Sequence, residues 1–322
     1  MTGTLFERTL AAAAPEAAGF VHRGSTSQDV IDTAMVLVTK EALALIEADL
    51  DRLVGSLAAL ARRHLETPML GRTLLQPAEV VSFGHEVVAW LAPLVRGRER
   101  LRQAGDAALR LQLGGAVGTL AALGDKGPAV ARRVGERLGL AVPAGAWHTQ
   151  RDAWVTLGCS VAVLCGSLGK IGHDLALLAQ GEVGEVFEPA EPGRGSSSAM
   201  PHKRNPVAAL VAIAAATRAP HQAATLLAAM PQAHQRGLGD WQAELAVWPS
   251  LFMSAHGAVR ALADACAGLE VDAARMRANV DAHVRSVGAG AETQIEAAAR
   301  LAGAAARAQL DALALAEGNP SP

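Results

Sequence analysis

A segment without helical periodicity holds the side chains with the most chemistry. Residues 181–206 are rich in Gly, Pro and Ser, which is typical of a functional or disordered loop in a helical protein. Ser197 and Ser198 offer adjacent hydroxyls, and a serine acts as a base when it is desolvated and surrounded by positive charge. Lys203 and Asn205 supply a cation and an amide donor, the groups that hold a carboxylate as it becomes an enolate-like dianion. A solvated Gly/Ser linker is the alternative.

Two other segments place polar side chains near expected helix starts. Ser25, Thr26 and Ser27 precede a long helical pattern, where hydroxyls and free backbone N–H groups form a site for a carboxylate. A plain helix cap would look similar over four residues. His148 stands near the start of another helix and can exchange a proton with a ligand. The alternative for His148 is a capping or buried structural histidine.

Long helices must position these groups. Ile46, Leu50, Leu53, Leu57 and Leu60 repeat at spacings of four and three, the apolar seam of a bundle helix. This pattern predicts a helix from about Gln28 to Leu65, or about 57 Å. Further helices are predicted over about Val80–Leu113, Pro128–Leu138, Arg151–Gln180, Val207–Ala229 and Asp240–Gly268, with weaker Ala-rich helix near the end.

Strand-like alternation is nearly missing, apart from a short turn around Glu185–Phe187. The sequence therefore predicts an all-α fold, a bundle of long helices. A helix as long as the first one needs partners of similar length, from the same chain or from other subunits. An elongated bundle that oligomerises side by side satisfies that need.

Composition excludes several classes of function. A net charge of −2 favours neither nucleic acid nor an anionic membrane. The longest uncharged apolar stretch, Ala153–Gly169, is too short for a membrane span and predicts a buried helix. Three unpaired cysteines and an N-terminus without a signal-peptide pattern fit the cytoplasm. Glu182, Glu185 and Glu188 are spaced at three, but no histidine cluster accompanies them, so we expect a solvated or structural role and no metal.

Four motifs resemble those of one family. Gly195–Pro206 (GSSSAMPHKRNP) closely resembles the GSSxMPxKxNP signature of the fumarase/aspartase superfamily of helical lyases. His22–Asp29 (HRGSTSQD) resembles its first signature, and Gly71–Ala78 (GRTLLQPA) resembles its second. In that second motif Leu74 replaces the histidine of fumarases and adenylosuccinate lyases, which the cycloisomerase group also lacks. Trp147–Asp152 (WHTQRD) is similar to a segment of that cycloisomerase group.

The resemblance implies lactonisation of a carboxymuconate through an aci-carboxylate, a step of protocatechuate (β-ketoadipate) catabolism, with no metal or organic cofactor. It implies a loop serine as catalytic base, Ser197 by alignment and Ser198 otherwise. It also places Arg236 near a substrate carboxylate, although a surface arginine is the alternative there. The predicted catalytic residues are Ser197, Ser198, His148 and Lys203; the predicted substrate-binding residues are Ser25, Thr26, Ser27, Arg72, Thr73, Gln76, Gln150, Met200, Asn205 and Arg236.

The resemblance covers about His22 to Asp281, and family members are normally longer at both ends. We therefore expect a reduced first domain at 1–21, a catalytic helical bundle at 22–270 and an abbreviated C-terminal helical segment at 271–322. The expected partners are a small polycarboxylate and further copies of the chain in a homotetramer. A related β-elimination lyase of the adenylosuccinate type is one alternative, which Leu74 opposes. A non-catalytic helical scaffold is another, which the intact serine loop opposes.

Overall fold

The computed structural model describes residues 8–12, 14–190, 195, 200, 203–287 and 295–316. Its long helices are α1 (Ser27–Arg63), α2 (Phe83–Ala108), α3 (Gly127–Leu138), α4 (Asp152–Leu178), α5 (Val207–Ala229), α6 (Asp240–Ala267), α7 (Ala273–Val287) and α8 (Ile295–Ala316). Shorter helical pieces cover residues 8–12, Pro15–Ala18 and Ala121–Lys126. The predicted all-α fold is confirmed. The helix ends lie within one or two residues of the predicted ones, except in α2.

The chain forms two compact units, each built from three chain segments. Unit 1 comprises Met1–Ala44, Leu101–Ser160 and His221–Phe252; unit 2 comprises Leu45–Arg100, Val161–Pro220 and Met253–Pro322. Each unit therefore has its own packing. The predicted boundaries at 21/22 and 270/271 follow the order of the sequence, and they stay a prediction.

The core of unit 1 is aromatic. The rings of Trp154 and Trp248 stack with centroids 3.8 Å apart, and Phe252 packs against Trp248 at 5.0 Å. The buried Trp248 indole keeps its polar end satisfied, because its Nε1–H donates to Thr39 Oγ1 at 2.9 Å. Gly158 makes room for the stack, because a Cβ there would lie 2.5 Å from Leu226 Cδ1.

The predicted seam of α1 forms part of the core of unit 2. Ile46, Leu50, Leu53 and Leu57 are fully buried and Leu60 is 1% exposed, as the spacing predicts. Burial of each such side chain contributes about 1.5–3 kcal/mol. A Leu53→Ala change would remove that burial and leave a cavity, at a cost of about 2–5 kcal/mol.

Small residues let α4 and α5 approach closely in unit 2. A Cβ at Gly169 would lie 2.3 Å from Ala216 Cβ, and a Cβ at Gly172 would lie 2.8 Å from Ala209 O. Among the described helices, α4 alone is long and apolar enough to cross a membrane, but 61% of its apolar window is buried inside the protein. Such burial is typical of a core helix, which agrees with the reading of Ala153–Gly169.

A β-hairpin in unit 2 corrects the sequence-based prediction of almost no strands. Strands β1 (Pro68–Thr73) and β2 (Gln76–Ser82) pair antiparallel, so α2 begins at Phe83 and not at Val80. Leu74 and Leu75 form the two-residue turn with φ of 52° and 62°. Such left-handed turns normally carry Asn and Gly, so the Leu-Leu sequence gave no hairpin signal. A second, short pair joins β3 (Val186–Phe187) to β4 (Glu270–Val271), where a turn was expected.

The hairpin packs on the last two described helices. Leu70 shares an apolar cluster with Val280 and Val284 of α7 and Ile295 of α8. The pairing register shifts between Leu70 and Arg72, and a Cβ at Gly71 would lie 2.9 Å from Glu79 O. Glycine is therefore required at this irregularity of the strand pairing.

Candidate active site

Two of the predicted carboxylate contacts meet in unit 1. The Arg236 guanidinium donates through Nη1 to Thr26 Oγ1, joining positions 210 residues apart in the sequence. Thr26 is 8% exposed and lies directly before the N-terminus of α1, whose first-turn N–H groups favour an anion. A hydroxyl beside a guanidinium at a helix start is well suited to bind a carboxylate. Ser25 donates to His22 O at 3.2 Å, and Ser27 is exposed.

A buried carboxylate lies one turn into the same helix. Asp29 is 2% exposed, and its oxygens accept hydrogen bonds from the backbone N–H groups of Thr26, Gly114 and Gly115, each at 2.9 Å. His148 Nε2 lies 2.7 Å from Asp29 Oδ1. Burial raises the pKa of Asp29, but the hydrogen bonds from His148 and the backbone outweigh it and hold the pKa below its usual value. The carboxylate is therefore ionised at neutral pH.

His148 lies in the loop before α4 and is 3% exposed. Its backbone is fixed because the Gln28 side chain donates to His148 O at 3.0 Å. The neighbouring Trp147 N–H donates to Gln112 Oε1 at 2.9 Å, which fixes the loop from the other side. Burial fits both readings of this histidine, so its catalytic role stays a prediction. The structure adds that its partner is Asp29.

The sequence-based search missed a second buried charge network in unit 1. Arg151 Nη1 donates to Asp32 Oδ2 at 2.9 Å, and Nη2 donates to Glu244 Oε2 at 2.5 Å, with all three residues about 2% exposed. Trp241 Nε1 also donates to Asp32, and Gln232 donates to Glu244. Burial raises the pKa of Glu244, and the charge of Asp32 adds to that rise, while Arg151 opposes it. The spacing of three between Asp29 and Asp32 was the available signal, because it places both on one face of α1.

Gln150 lies apart from these contacts. Its side chain is exposed and donates to Ala146 O at 3.3 Å. It lines a cavity of about 340 Å³ together with Arg110, Trp147 and Trp154. Its predicted role in substrate binding stays a prediction.

In unit 2, Arg72 has a structural partner. Its two terminal nitrogens donate to the two oxygens of Glu185, at 2.8 and 3.0 Å, and Glu185 is fully buried. Asn279 Nδ2 donates to the same carboxylate at 2.7 Å. The guanidinium fork of Arg72 is thereby occupied, and a contact with substrate stays a prediction. Thr73 and Gln76 are exposed and flank the tip of the hairpin.

The signature loop is fastened at its base. Ser197 and Ser198 lie outside the described residues, which include Gly195 before them and Met200 after them. The Asn205 N–H donates to Gly195 O at 2.8 Å, and Gly195 has φ of 70° with no room for a Cβ, which would lie 2.7 Å from Asn205 O. Lys203 is exposed, and its N–H donates to the carbonyl of Met200 at 3.0 Å. The loop therefore starts and ends at one point of unit 2.

Arg204 holds the end of this loop, a role that the sequence did not reveal. Its guanidinium forms two hydrogen bonds with Glu270, at 2.8 and 2.9 Å, and lies 5.1 Å from the centre of the Phe187 ring. The pair with Arg204 holds the pKa of Glu270 below its usual value. Glu188 caps α5, since its oxygens accept the N–H groups of Ala208 and Ala209 at 2.9 Å. Two of the three spaced glutamates are thus structural, one of the two roles expected for them.

No group of three or more His, Cys, Asp or Glu residues able to hold a metal ion stands together in the part of the chain that the structure describes. That the reaction needs neither metal nor organic cofactor stays a prediction from the resemblance.

Comparison with known proteins defines the class. The model of a lyase family matches residues 2–220, which is more than half of the chain. The chain belongs to this lyase family of the fumarase/aspartase superfamily, as its motifs predicted.

Individual relatives show which enzymes of the family this chain is similar to. The chain is 52% identical over 273 residues to 3-carboxy-cis,cis-muconate cycloisomerase of Pseudomonas aeruginosa, covering 85% of this chain and 60% of the relative. It is 46% identical over 280 residues to nitrosuccinate lyase of Streptomyces davaonensis, covering 84% of this chain and 59% of the relative. The crystal structure of 3-carboxy-cis,cis-muconate lactonizing enzyme from Pseudomonas putida superposes with a TM-score of 0.85 at 46% identity, over 99% of this chain and 71% of that one. The chain thus spans about three fifths of the length of these curated relatives.

Proposed function

We propose that the chain lactonises 3-carboxy-cis,cis-muconate to a carboxymuconolactone. The observation that carries the proposal is the contact of Arg236 with Thr26 at the start of α1, next to the buried pair of Asp29 and His148. Together they offer an anion site and a proton-exchanging group within one unit. The identity of 52% with a cycloisomerase supports the choice of substrate.

The chemistry needs a site that holds several carboxylates. One carboxylate oxygen of the substrate adds to the conjugated double bond, and the displaced π electrons move onto another carboxylate, giving an aci-carboxylate. A proton then adds to the adjacent carbon and closes the electron balance. Thr26 and Arg236 of one subunit hold one carboxylate, while Lys203 and Asn205 of a neighbouring subunit stabilise the developing dianion.

The loop serine completes the proposed machinery. Ser197, with Ser198 as the alternative, exchanges the proton at carbon. Exclusion of water by the bound substrate strengthens the interaction of Lys203 with the dianion, because charges attract more strongly in a low dielectric.

We also propose that the enzyme is a cytoplasmic homotetramer whose sites combine residues of neighbouring subunits. Large apolar side chains are exposed along the long helices: Val38 is 61% exposed, Leu45 56%, Val163 51% and Met253 68%. Apolar residues at such positions favour association of helices side by side. Mixing a Ser197→Ala chain with a His148→Ala chain should then restore part of the activity, whereas a monomer without complementation would contradict the shared site.

A β-elimination lyase is the second candidate, and the identity of 46% with nitrosuccinate lyase favours it. Both reactions place negative charge on a carboxylate next to the reacting carbon, so the same residues serve either one. Leu74 at the position of a histidine opposes an adenylosuccinate substrate, because no imidazole acid or base is available there.

Loss of ultraviolet absorbance separates the candidates. The purified chain should remove the diene absorbance of 3-carboxy-cis,cis-muconate and should not release nitrite from nitrosuccinate. Nitrite release without loss of the diene would replace the proposal with the second candidate. Activity on neither substrate, from a folded protein, would leave the helical scaffold as the answer.

A further inference from the structure

We propose that Asp29 is a positioning residue that directs the His148 imidazole, so that Nδ1 and not Nε2 exchanges a proton with the bound carboxylate substrate. This inference rests on the proposed function, since it concerns the same site. It adds an atom assignment that neither the motifs nor the relatives supply.

Backbone donors occupy most of the Asp29 carboxylate. Oδ2 accepts the N–H groups of Thr26 and Gly115, and Oδ1 accepts the N–H of Gly114 and faces His148 Nε2 at 2.7 Å. A carboxylate has about four lone-pair positions, and backbone N–H groups can only donate. Three of the four positions are thus filled by obligatory donors, and the fourth faces the ring.

The ionised state of Asp29 determines the tautomer of His148. Because Asp29 is ionised and accepts only, the hydrogen between it and His148 must belong to the ring nitrogen Nε2. The neutral imidazole then carries its lone pair on Nδ1. A proton that arrives at Nδ1 forms an imidazolium whose Nε2–H points at an anion, which stabilises that cation by a charge-assisted hydrogen bond.

The His148 ring is held in a fixed position. A Cβ at Gly114 would lie 3.0 Å from His148 Cε1 and 2.4 Å from Ala146 Cβ, so the ring lies against a position that admits only glycine. Gln28 fixes the His148 carbonyl at 3.0 Å. The same Thr26 whose hydroxyl meets Arg236 donates its N–H to Asp29, so the anion site and the imidazole share one anchor at the start of α1.

Magic-angle-spinning NMR of the full chain labelled with ¹⁵N-histidine tests the assignment without any substrate turnover. The His148 resonances are identified by their loss in a His148→Gln variant. In the neutral ring we expect Nε2 to be protonated and Nδ1 unprotonated, and we expect saturating propane-1,2,3-tricarboxylate to move the Nδ1 resonance. A neutral ring protonated at Nδ1, or a ligand response confined to Nε2, would overturn the proposal.

Two matched variants test the role of Asp29. Asp29→Asn can turn an amide N–H₂ toward the ring, so the tautomer should reverse or become mixed. Asp32→Asn makes the same change one turn further along α1, where the partner is Arg151, and should leave the tautomer as in the wild type. An unchanged tautomer in Asp29→Asn contradicts the proposal.

Kinetics with 3-carboxy-cis,cis-muconate distinguish positioning from support of the fold. Per folded protein, Asp29→Asn should lower kcat by on the order of 100-fold and change KM by much less, since general acid–base catalysis contributes at least that much. If kcat per folded protein is unchanged, Asp29 supports only the fold. If the wild-type chain turns over no polycarboxylate, the proposed function fails while the tautomer result stands by itself.

Discussion

Replacing Arg151 with methionine should destabilise the protein strongly, because it leaves two carboxylates without their cation. Arg151 makes hydrogen bonds of 2.9 Å to Asp32 and 2.5 Å to Glu244, and the side chains of all three are about 1–2% exposed. It also lies 4.7 Å from the centre of the Trp147 ring. Breaking a buried ion pair from one side typically costs about 3–5 kcal/mol. That loss is a large part of a typical stability of about 5–15 kcal/mol.

The deficit should depend on pH with a definite sign. Burial already raises the pKa of Glu244 against the opposing effect of Arg151, and removing Arg151 raises that pKa further. A carboxyl whose folded-state pKa is raised favours folding as the pH falls, since the folded state then binds the proton more tightly. The loss of unfolding free energy caused by Arg151→Met should therefore be largest at neutral pH. It should shrink as the pH falls toward 4.5, the ordinary pKa of a glutamate side chain.

Urea unfolding at several pH values measures this deficit, and Arg52→Met is the matched control. Arg52 also bridges two aspartates, at 2.7 and 2.6 Å, but its side chain is 52% exposed and solvent screens the pair. A double variant, Arg151→Met with Glu244→Gln, should recover part of the loss, because one buried charge is gone. Equal deficits for Arg151→Met and Arg52→Met, or a double variant no more stable than the single one, would refute the reasoning.

Three further outcomes are expected. Ser197→Ala should abolish turnover with helix content unchanged by circular dichroism; if Ser198→Ala does so instead, the base is the next residue. Lys203→Met should lower kcat/KM by an amount equivalent to about 3–4 kcal/mol, as for other preorganised donors. If the variant is as active as the wild type, Lys203 has no part in the mechanism. Leu75→Gly should raise the midpoint of thermal unfolding, because a left-handed conformation costs a non-glycine residue roughly 1 kcal/mol; a lower midpoint would mean that packing of Leu75 outweighs the strain.

The helices of this protein could be read from the sequence because their signal is local. The seam from Ile46 to Leu60 repeats with the period of a helix, and the same period decides burial in the structure. The hairpin could not be read in this way. Its turn carries Leu74 and Leu75 where the backbone favours Asn and Gly, and its pairing depends on Gly71 approaching Glu79 across the strands.

The residues of the candidate site likewise fall into those that the sequence indicated and those that it did not. The resemblance selected Thr26 and Arg236, and the structure brings them into contact. Arg151 and Glu244 were missed, because a charged residue on a long helix looks solvated until its partner is known. Their contact joins positions 93 residues apart, a distance at which only tertiary packing determines the neighbour.

The fastened base of the signature loop has a consequence for how its motif is interpreted. Gly195 is held by its backbone geometry and Arg204 by its pair with Glu270, so the fold itself requires these two residues. A member of the family without catalytic activity would therefore still keep these residues at the same spacing. The residues of the motif that report activity are those proposed to act on the substrate, namely the serine pair, Lys203 and Asn205. A search for active members of this family should therefore give these residues more weight than Gly195 and Arg204.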